Sequence, residues 1–385
     1  MKLNDIHHKH KLHSKRVLIG LGNQISHVES LLLVDSKDVR AIAIWGMPGI
    51  GKTTIAENVY NRLRSKYDNC YFKANVREEC RRHGILYLKK ELYSTLFRQQ
   101  DLKFDTPHGL PYFVERGLRR MKVLVVLDDV NDPQQLENLI GTNLARFGRG
   151  SRIIITTRDK QVLAKRVDDN DVYEVKPLEF DDSFRLFNVN AFEQNHPKMD
   201  FYEYELTKKM VNYAQGIPLV LKELGHFIGG IKDKRTWESQ FEKLTTRATL
   251  LKNVHDVIRL SCDDLNRVEK KVLLDIASLS DGLHLKVGNI QLPMNVDNIQ
   301  LLLEDGGYNL VDVLQSLKNK ALLTISQHKD VSMHSIIQLT ALEIVREESI
   351  EVPKHNKVCI LLKPKVNYTM PCSSSFTLHI DRLGY

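Results

Sequence analysis

Ala41-Ile42-Ala43-Ile44-Trp45-Gly46-Met47-Pro48-Gly49-Ile50-Gly51-Lys52-Thr53-Thr54 is the stretch that decides the fold. The apolar run 41–45 reads as a buried strand, and residues 54–63 read as a helix. Between them Gly46 to Thr53 spell G-x-x-x-x-G-K-T, a phosphate-binding loop in the strand–loop–helix context that the motif requires. Glycines let the backbone fold around an anion with its N–H groups turned inward. The expected nucleotide-binding set is therefore Gly46, Met47, Pro48, Gly49, Ile50, Gly51, Lys52, Thr53 and Thr54, with Lys52 on the β- and γ-phosphates and Thr53 Oγ on Mg²⁺. A cation in the first turn of a helix opposes the macrodipole, and an anionic ligand removes that conflict.

Outward from the loop, strand-like and helix-like segments alternate to about residue 175. Strands are predicted at 39–45, 71–74, 123–127, 152–156 and 172–175. Their apolar character is largely continuous rather than alternating, as in parallel strands buried on both faces. From about 181 the strand signal fades. Asp181 or Asp182 is expected to cap a helix carrying Phe184, Leu186, Phe187 and Phe192. Gly216-Ile217-Pro218 breaks the next helical stretch, which resumes over 219–228 and ends at Gly229-Gly230. A third block, about 254–348, holds two apolar helix faces (Val268, Val272, Leu273, Ile276, Ala277; and Met333, Ile336, Ile337, Thr340, Ala341, Ile344, Val345). Short strands at 321–325 and 331–333 make a hairpin between them, which suggests a winged helix. These stripes locate cores, not chemistry.

A nucleotide also needs a carboxylate to hold Mg²⁺ and to orient water. The apolar strand Leu124-Val125-Val126-Leu127 ends in Asp128-Asp129, and carboxylates at the end of a buried strand are costly unless a cation or donors compensate. Asp128 is expected at Mg²⁺ and Asp129 at the attacking water. The other reading is a bare Asp-Asp turn opening the next helix at Pro133. Ile153-Ile154-Ile155-Thr156-Thr157-Arg158 is a further strand, ending in a cation. Ligands lie at the C-terminal ends of strands in doubly wound sheets, so Arg158 is expected near the γ-phosphate, distinguishing ATP from ADP. The alternative is a surface arginine in a turn.

The bulk composition excludes several other classes. The 385 residues are 42% hydrophobic and 27% charged, which is ordinary for a globular chain of two or three domains. No apolar run is long enough for a membrane span. The basic, His-rich residues 1–16 lack an apolar core and read as a linker, not a secretory signal. Cys70, Cys80, Cys262, Cys359 and Cys372 show no C-x-x-C spacing, which argues for a reducing compartment and against a zinc or disulfide framework. The net charge is +8, but the basic residues are dispersed without interleaved aromatics, so nucleic acid is not the expected partner.

The three motifs, in this order, resemble the nucleotide-binding NB-ARC module of plant intracellular immune receptors. Gly216-Ile217-Pro218-Leu219 is similar to that family's G-x-P-L motif, which implies that Pro218 packs near adenine. Leu18-Ile19-Gly20 resembles the segment that touches adenine ahead of the sheet, bringing in Ile19 and Gly20. The runs 257–261 and 269–277 resemble the winged-helix entry of receptors with a TIR domain. Asn131, where coiled-coil-type receptors usually carry Trp, points to the same branch. Met333-His334-Ser335 stands where the family has Met-His-Asp. The resemblance implies that His334 approaches the ADP β-phosphate, with Ser335 lacking the acid that helps lock the closed state. It covers roughly residues 15–350.

The expected fold is thus α/β, a P-loop NTPase with a parallel sheet, followed by a helical domain and a winged-helix domain. The expected boundaries are 1–16 linker, 17–178 nucleotide-binding, 179–252 helical, 253–350 winged-helix and 351–385 irregular tail. The expected function is an ADP/ATP-binding switch of plant immune signalling, cytoplasmic or nucleo-cytoplasmic, hydrolysing ATP slowly if at all. Self-association or association with full-length immune receptors is expected. No TIR domain precedes the resemblance and no leucine-rich repeats follow it, so a truncated adaptor, or a remnant that binds nucleotide without signalling alone, stands as an alternative. A turnover P-loop ATPase is another, though neither a lid-like arginine cluster nor a transporter signature is present.

Overall fold

The computed structural model describes residues 18–99, 102, 109–163, 166–192, 200–231, 234–246, 252–281, 284–287, 290–303 and 307–351. The expected basic linker and all of the irregular tail except Glu351 lie outside the described residues. Two compact units are formed, one of residues up to Ser261 together with Asn319–Leu322, the other of Cys262–Lys318 and the residues from Leu323 onward. The segments expected to be nucleotide-binding and helical lie together in the first unit.

The first unit is built on a five-stranded sheet. Its strands are β1 (Arg40–Trp45), β2 (Asn69–Lys73), β3 (Val123–Val130), β4 (Arg152–Thr157) and β5 (Val172–Glu174). Their spatial order is β2-β3-β4-β1-β5, and every pairing is parallel. Ile42, Ile44, Val123 to Leu127 and Ile153 to Ile155 are completely buried. That burial on both faces explains their unbroken apolar runs, each such side chain contributing ~1.5–3 kcal/mol. β3 extends beyond its apolar run because the ladder shifts register after Leu127 and resumes with Val130 opposite Thr157. Asp128 and Asp129 occupy this irregularity, and Asp129 has φ +55°.

Because β4 separates β3 from β1, the acids of β3 and the loop after β1 face each other across the end of one intervening strand. β4 is itself anchored at its start. The fully buried Arg152 guanidinium donates to the carbonyls of Leu32 (2.5 Å), Leu33 (2.5 Å), Ser36 (2.9 Å) and Asp38 (2.6 Å). A buried cation is tolerable when each of its donors is satisfied.

The helices Phe180–Ala191, Phe201–Ala214, Pro218–Gly229 and Trp237–Thr246 follow the sheet, with Lys252–Asp263 entering at the end of the unit. The expected cap at Asp181 or Asp182 is incorrect. The N-cap is Glu179, with no side-chain capping bond, and both aspartates lie within the first turn. There their charge favours the N-terminal end of the helix dipole. Phe192 lies just past that helix and packs on Trp237 at a ring-centroid distance of 5.8 Å. A reciprocal capping box is found on the next helix, between Asp200 and Glu203. Pro218 opens its helix at the first position, where a missing N–H costs nothing.

The second unit contains the helices Arg267–Leu279, Val296–Leu303, Leu310–Asn319 and Ser335–Glu351. Asn266 and Glu269 form a capping box on the first of these. Val272, Leu273, Ile276 and Ala277, and Ile336, Ile337, Ala341 and Ile344, are the buried faces expected from their spacing. Gln338 Nε2 joins the two helices by donating to the Ala277 and Ser280 carbonyls at 3.2 and 2.9 Å. The hairpin is present as β9 (Thr324–Ile325) and β10 (Val331–Ser332). A three-stranded antiparallel sheet, β6 (Ser280–Asp281), β7 (His284–Val287) and β8 (Ile290–Pro293), was not expected from the sequence. No described helix is long and apolar enough to cross a membrane.

Candidate functional site

The turn after β1 takes its shape from glycines at positive φ, with Gly49 at +76° and Gly51 at +107°. A Cβ on Gly49 would stand 2.9 Å from Leu219 Cβ, so the loop lies directly against the start of the helix Pro218–Gly229. The Leu219 N–H donates to the Gly49 carbonyl at 3.2 Å. The helix after the loop begins at Lys52, two residues before its apolar spacing becomes readable.

Lys52 is 8% exposed, and its Nζ donates to the Gly46 and Met47 carbonyls at 2.7 and 2.9 Å. Burial, and next the nearby Arg158, push its pKa down to about 7, against the pull of Asp129 and Asp128. The two carboxylates do not offset that burial, and a phosphate would supply the missing negative charge. Thr53 Oγ1 and Thr156 Oγ1 both donate to Asp128 Oδ1, at 2.8 and 2.6 Å. Two neighbouring oxygens in an octahedral Mg²⁺ shell stand about 3 Å apart, given metal–oxygen distances near ~2.1 Å. The Thr53 hydroxyl and the Asp128 carboxylate already have that spacing, so this donor pair fits the ion.

Asp129 and Arg158, assigned separately by the sequence to water and to the γ-phosphate, form an ion pair at 3.0 Å. The Asp129 N–H donates to Thr156 Oγ1 at 2.9 Å. Arg158 Nη1 also donates to the Val257 carbonyl (3.1 Å) and to Ser261 Oγ (2.8 Å). A cavity of about 270 Å³ joins Gly49, Gly51, Lys52, Thr53 and Thr54 to Asp129, Arg158 and Pro218. Gly46 and Met47 act through their carbonyls, Pro48 and Ile50 are buried under the loop, and Asp128 lies behind Thr53. Gly20 packs beside Leu178 and Asp182 at φ +73°, following Ile19 in the turn that places Leu21 beside Gly51. His334 belongs to the second unit, where its Nδ1 accepts the Ile336 N–H at 3.1 Å.

Residues 23–197 match the NB-ARC domain, and residues 266–349 match the winged-helix domain of Roq1-like disease resistance proteins. The chain carries an NB-ARC domain. It is 34% identical, over 85% of its length, to the disease resistance-like protein DSC1 of Arabidopsis thaliana, covering 25% of that protein. It is 34% identical to the disease resistance protein RUN1 of Vitis rotundifolia, over 87% of this chain and 24% of that one. The corresponding values for the TMV resistance protein N of Nicotiana glutinosa are 33%, 83% and 27%. The NB-ARC chain thus spans about a quarter of the length of the curated relatives it matches. Among solved structures, the Walker-type ATPase of Pyrococcus abyssi is similar in fold, with a TM-score of 0.55 at 16% identity, covering 83% of this chain and 95% of that one. The fold is that of a P-loop NTPase, continued by a helical region and a winged-helix domain.

Several residues at the NB-ARC cavity escaped the sequence reading. Thr156 was available in the run ending at Arg158, as a hydroxyl one strand away from the acids. Asn75, Lys222 and Val257 also line the cavity. Asn75, two residues past β2 and N-cap of the helix Val76–His83, carries a positive φ of 51°, a conformation uncommon outside glycine and often found at functional sites.

The depressed Lys52 pKa gives a pH prediction. Below about pH 7 the empty cradle already holds an ammonium ion; above it the lysine is increasingly neutral. A bound phosphate favours the charged form and raises the pKa, so binding takes up a proton at pH 8 and affinity for ADP falls as pH rises above about 7. Calorimetry in two buffers of different ionisation enthalpy measures that uptake. Zero proton uptake at pH 8, with pH-independent affinity, would refute it.

Proposed function

We propose that this NB-ARC protein is a nucleotide-dependent switch of plant defence signalling in the cytoplasm, resting with ADP and activated with ATP and Mg²⁺. The observation that carries the reading is the buried Lys52 side chain, held on two loop carbonyls at the edge of a cavity of about 270 Å³. Thr53 and Asp128 would hold Mg²⁺, and Thr54 and the loop amides would complete the cradle. Pro218 and the turn Ile19-Gly20 are assigned to the adenine end on the family motifs alone, as is His334 to the ADP-bound state. Mg²⁺ supplies charge neutralisation at the phosphates when bound.

Turnover catalysis is disfavoured by one contact. Asp129, the carboxylate assigned to orient water, is bound to the Arg158 guanidinium. A carboxylate oxygen already engaged by a guanidinium is not free to orient water, which suits a long-lived nucleotide state. ATP and ADP must differ in affinity between two states by about 5.5 kcal/mol to move a population from 1:99 to 99:1. Arg158 is the group we assign to that difference, because a γ-phosphate would compete for the donors now spent on Asp129, Val257 and Ser261. The partners we propose are a second copy of the chain or full-length immune receptors.

The test is to purify the chain without added nucleotide, denature it, and identify what is released by chromatography. Stoichiometric ADP is the expected result. ATP alone would contradict the resting state, and absence of both would favour a remnant that has lost nucleotide retention.

A further inference from the structure

Among the described residues, each charged group lining the cavity has a partner on the protein except one. Lys52 is held by carbonyls, and Arg158 and Asp129 hold each other. Lys222 is the third cation of the lining, and among the described residues it has no hydrogen-bond or ion-pair partner. Its neighbour in sequence, Glu223, is engaged elsewhere, accepting from Asn253 at 3.1 Å.

The fold holds Lys222 in this place. The helix Pro218–Gly229 starts on the loop, through the Leu219 N–H on the Gly49 carbonyl and the close approach of Leu219 to Gly49. Pro218 and Lys222 are four positions apart, so they share one helix face. Both line the cavity. Lys222 is partly buried there, and burial lowers its pKa. A partly buried ammonium ion without an anion is unfavourable until one arrives. The lining holds three cations against the single carboxylate of Asp129, an imbalance that favours a polyanionic ligand.

We infer that Lys222 is a phosphate-binding residue, carried by the helix Pro218–Gly229 and not by the loop, and that it takes a phosphate charge of a bound nucleoside di- or triphosphate. The inference rests on the nucleotide reading of the cavity. It makes the nucleotide a bridge: Lys52 grips it from the loop and Lys222 from the helical layer, so occupancy fastens that helix to the loop.

ADP is the probe, and the full chain, stripped of nucleotide, is compared with K222Q, K222R and K52A by calorimetry at low and at physiological salt. K222Q is expected to bind ADP about ten- to a hundredfold more weakly, the loss that follows removal of one charge-assisted hydrogen bond. Its affinity should also depend less on salt than that of the wild type. K222R, which keeps the charge, should stay within about threefold of the wild type, since a single phosphate contact tolerates either cation. Without nucleotide, K222Q and K222R should melt no lower than the wild type. Wild-type affinity in K222Q, alongside loss of binding in K52A, would overturn the inference and leave the loop reading standing. Equal weakening in K222Q and K222R with an unchanged salt dependence would also overturn it, because the effect would then come from packing. A wild-type chain that binds neither ADP nor ATP would remove the nucleotide reading and this inference together.

Discussion

Lys52→Ala lowers ADP affinity by at least about a hundredfold, the scale expected when a buried phosphate loses its charge-assisted donor and faces two uncompensated carbonyls. The Gly46 and Met47 carbonyls accept from Lys52 Nζ at 2.7 and 2.9 Å, and they point at the place the ammonium ion occupies. Without the cation, their partial negative charges confront the ligand's own charge. Calorimetric titration of nucleotide-stripped protein reads the effect directly. A variant that binds ADP as tightly as the wild type would show that the loop is not the phosphate cradle.

Gly216→Ala destabilises the first unit by about 3 kcal/mol or more, combining a positive-φ penalty with a backbone clash. Gly216 has φ +76°, and a Cβ there would stand 2.4 Å from the Leu178 carbonyl oxygen and 2.9 Å from the Leu178 nitrogen. The same glycine's carbonyl accepts the Leu178 N–H at 2.9 Å, so the segment cannot move away without breaking that bond. A shift would also carry Pro218 and Leu219 off the loop, and ADP binding would weaken with stability. Denaturant titration followed by circular dichroism measures it, and an unchanged midpoint would contradict the geometry. The G-x-P-L motif is thereby explained in part by space: its glycine is the only residue that fits between Leu178 and the helix carrying Pro218.

What the sequence revealed and what it concealed follow from the range of the interactions. The loop from Gly46 to Thr53 is a local structure, and its residues come together without help from elsewhere. The parallel sheet was legible because β1, β3 and β4 are buried on both faces and so carry unbroken apolar runs. The contact of Thr156 with Asp128 was not legible, because it depends on β4 lying between β3 and β1. The pairing of Arg158 with Asp129 was hidden for the same reason, since sequence order does not give strand order. Lys222 reads in sequence as an ordinary polar position on an apolar helix, and only the approach of that helix to Gly49 gives it a place at the cavity. The sheet over 280–293 has strands of two to four residues, too short for a periodic signal. The capping error at 181–182 arose because two acids in a first turn resemble a cap, although dipole complementarity suffices to place them there.

Arg152 and Arg158 stand at opposite ends of β4. The first ties the start of that strand to the segment 32–38, between the helix Gly22–Leu31 and β1, and the second ties its end to the helix Lys252–Asp263, at Val257 and Ser261. From one to the other runs a central strand, ~20 Å of extended backbone hydrogen-bonded on both sides. In mechanical terms β4 is a tie-rod. A tug on the segment 32–38 is carried along β4 to the guanidinium beside the cavity, so two segments far apart in sequence share one taut member.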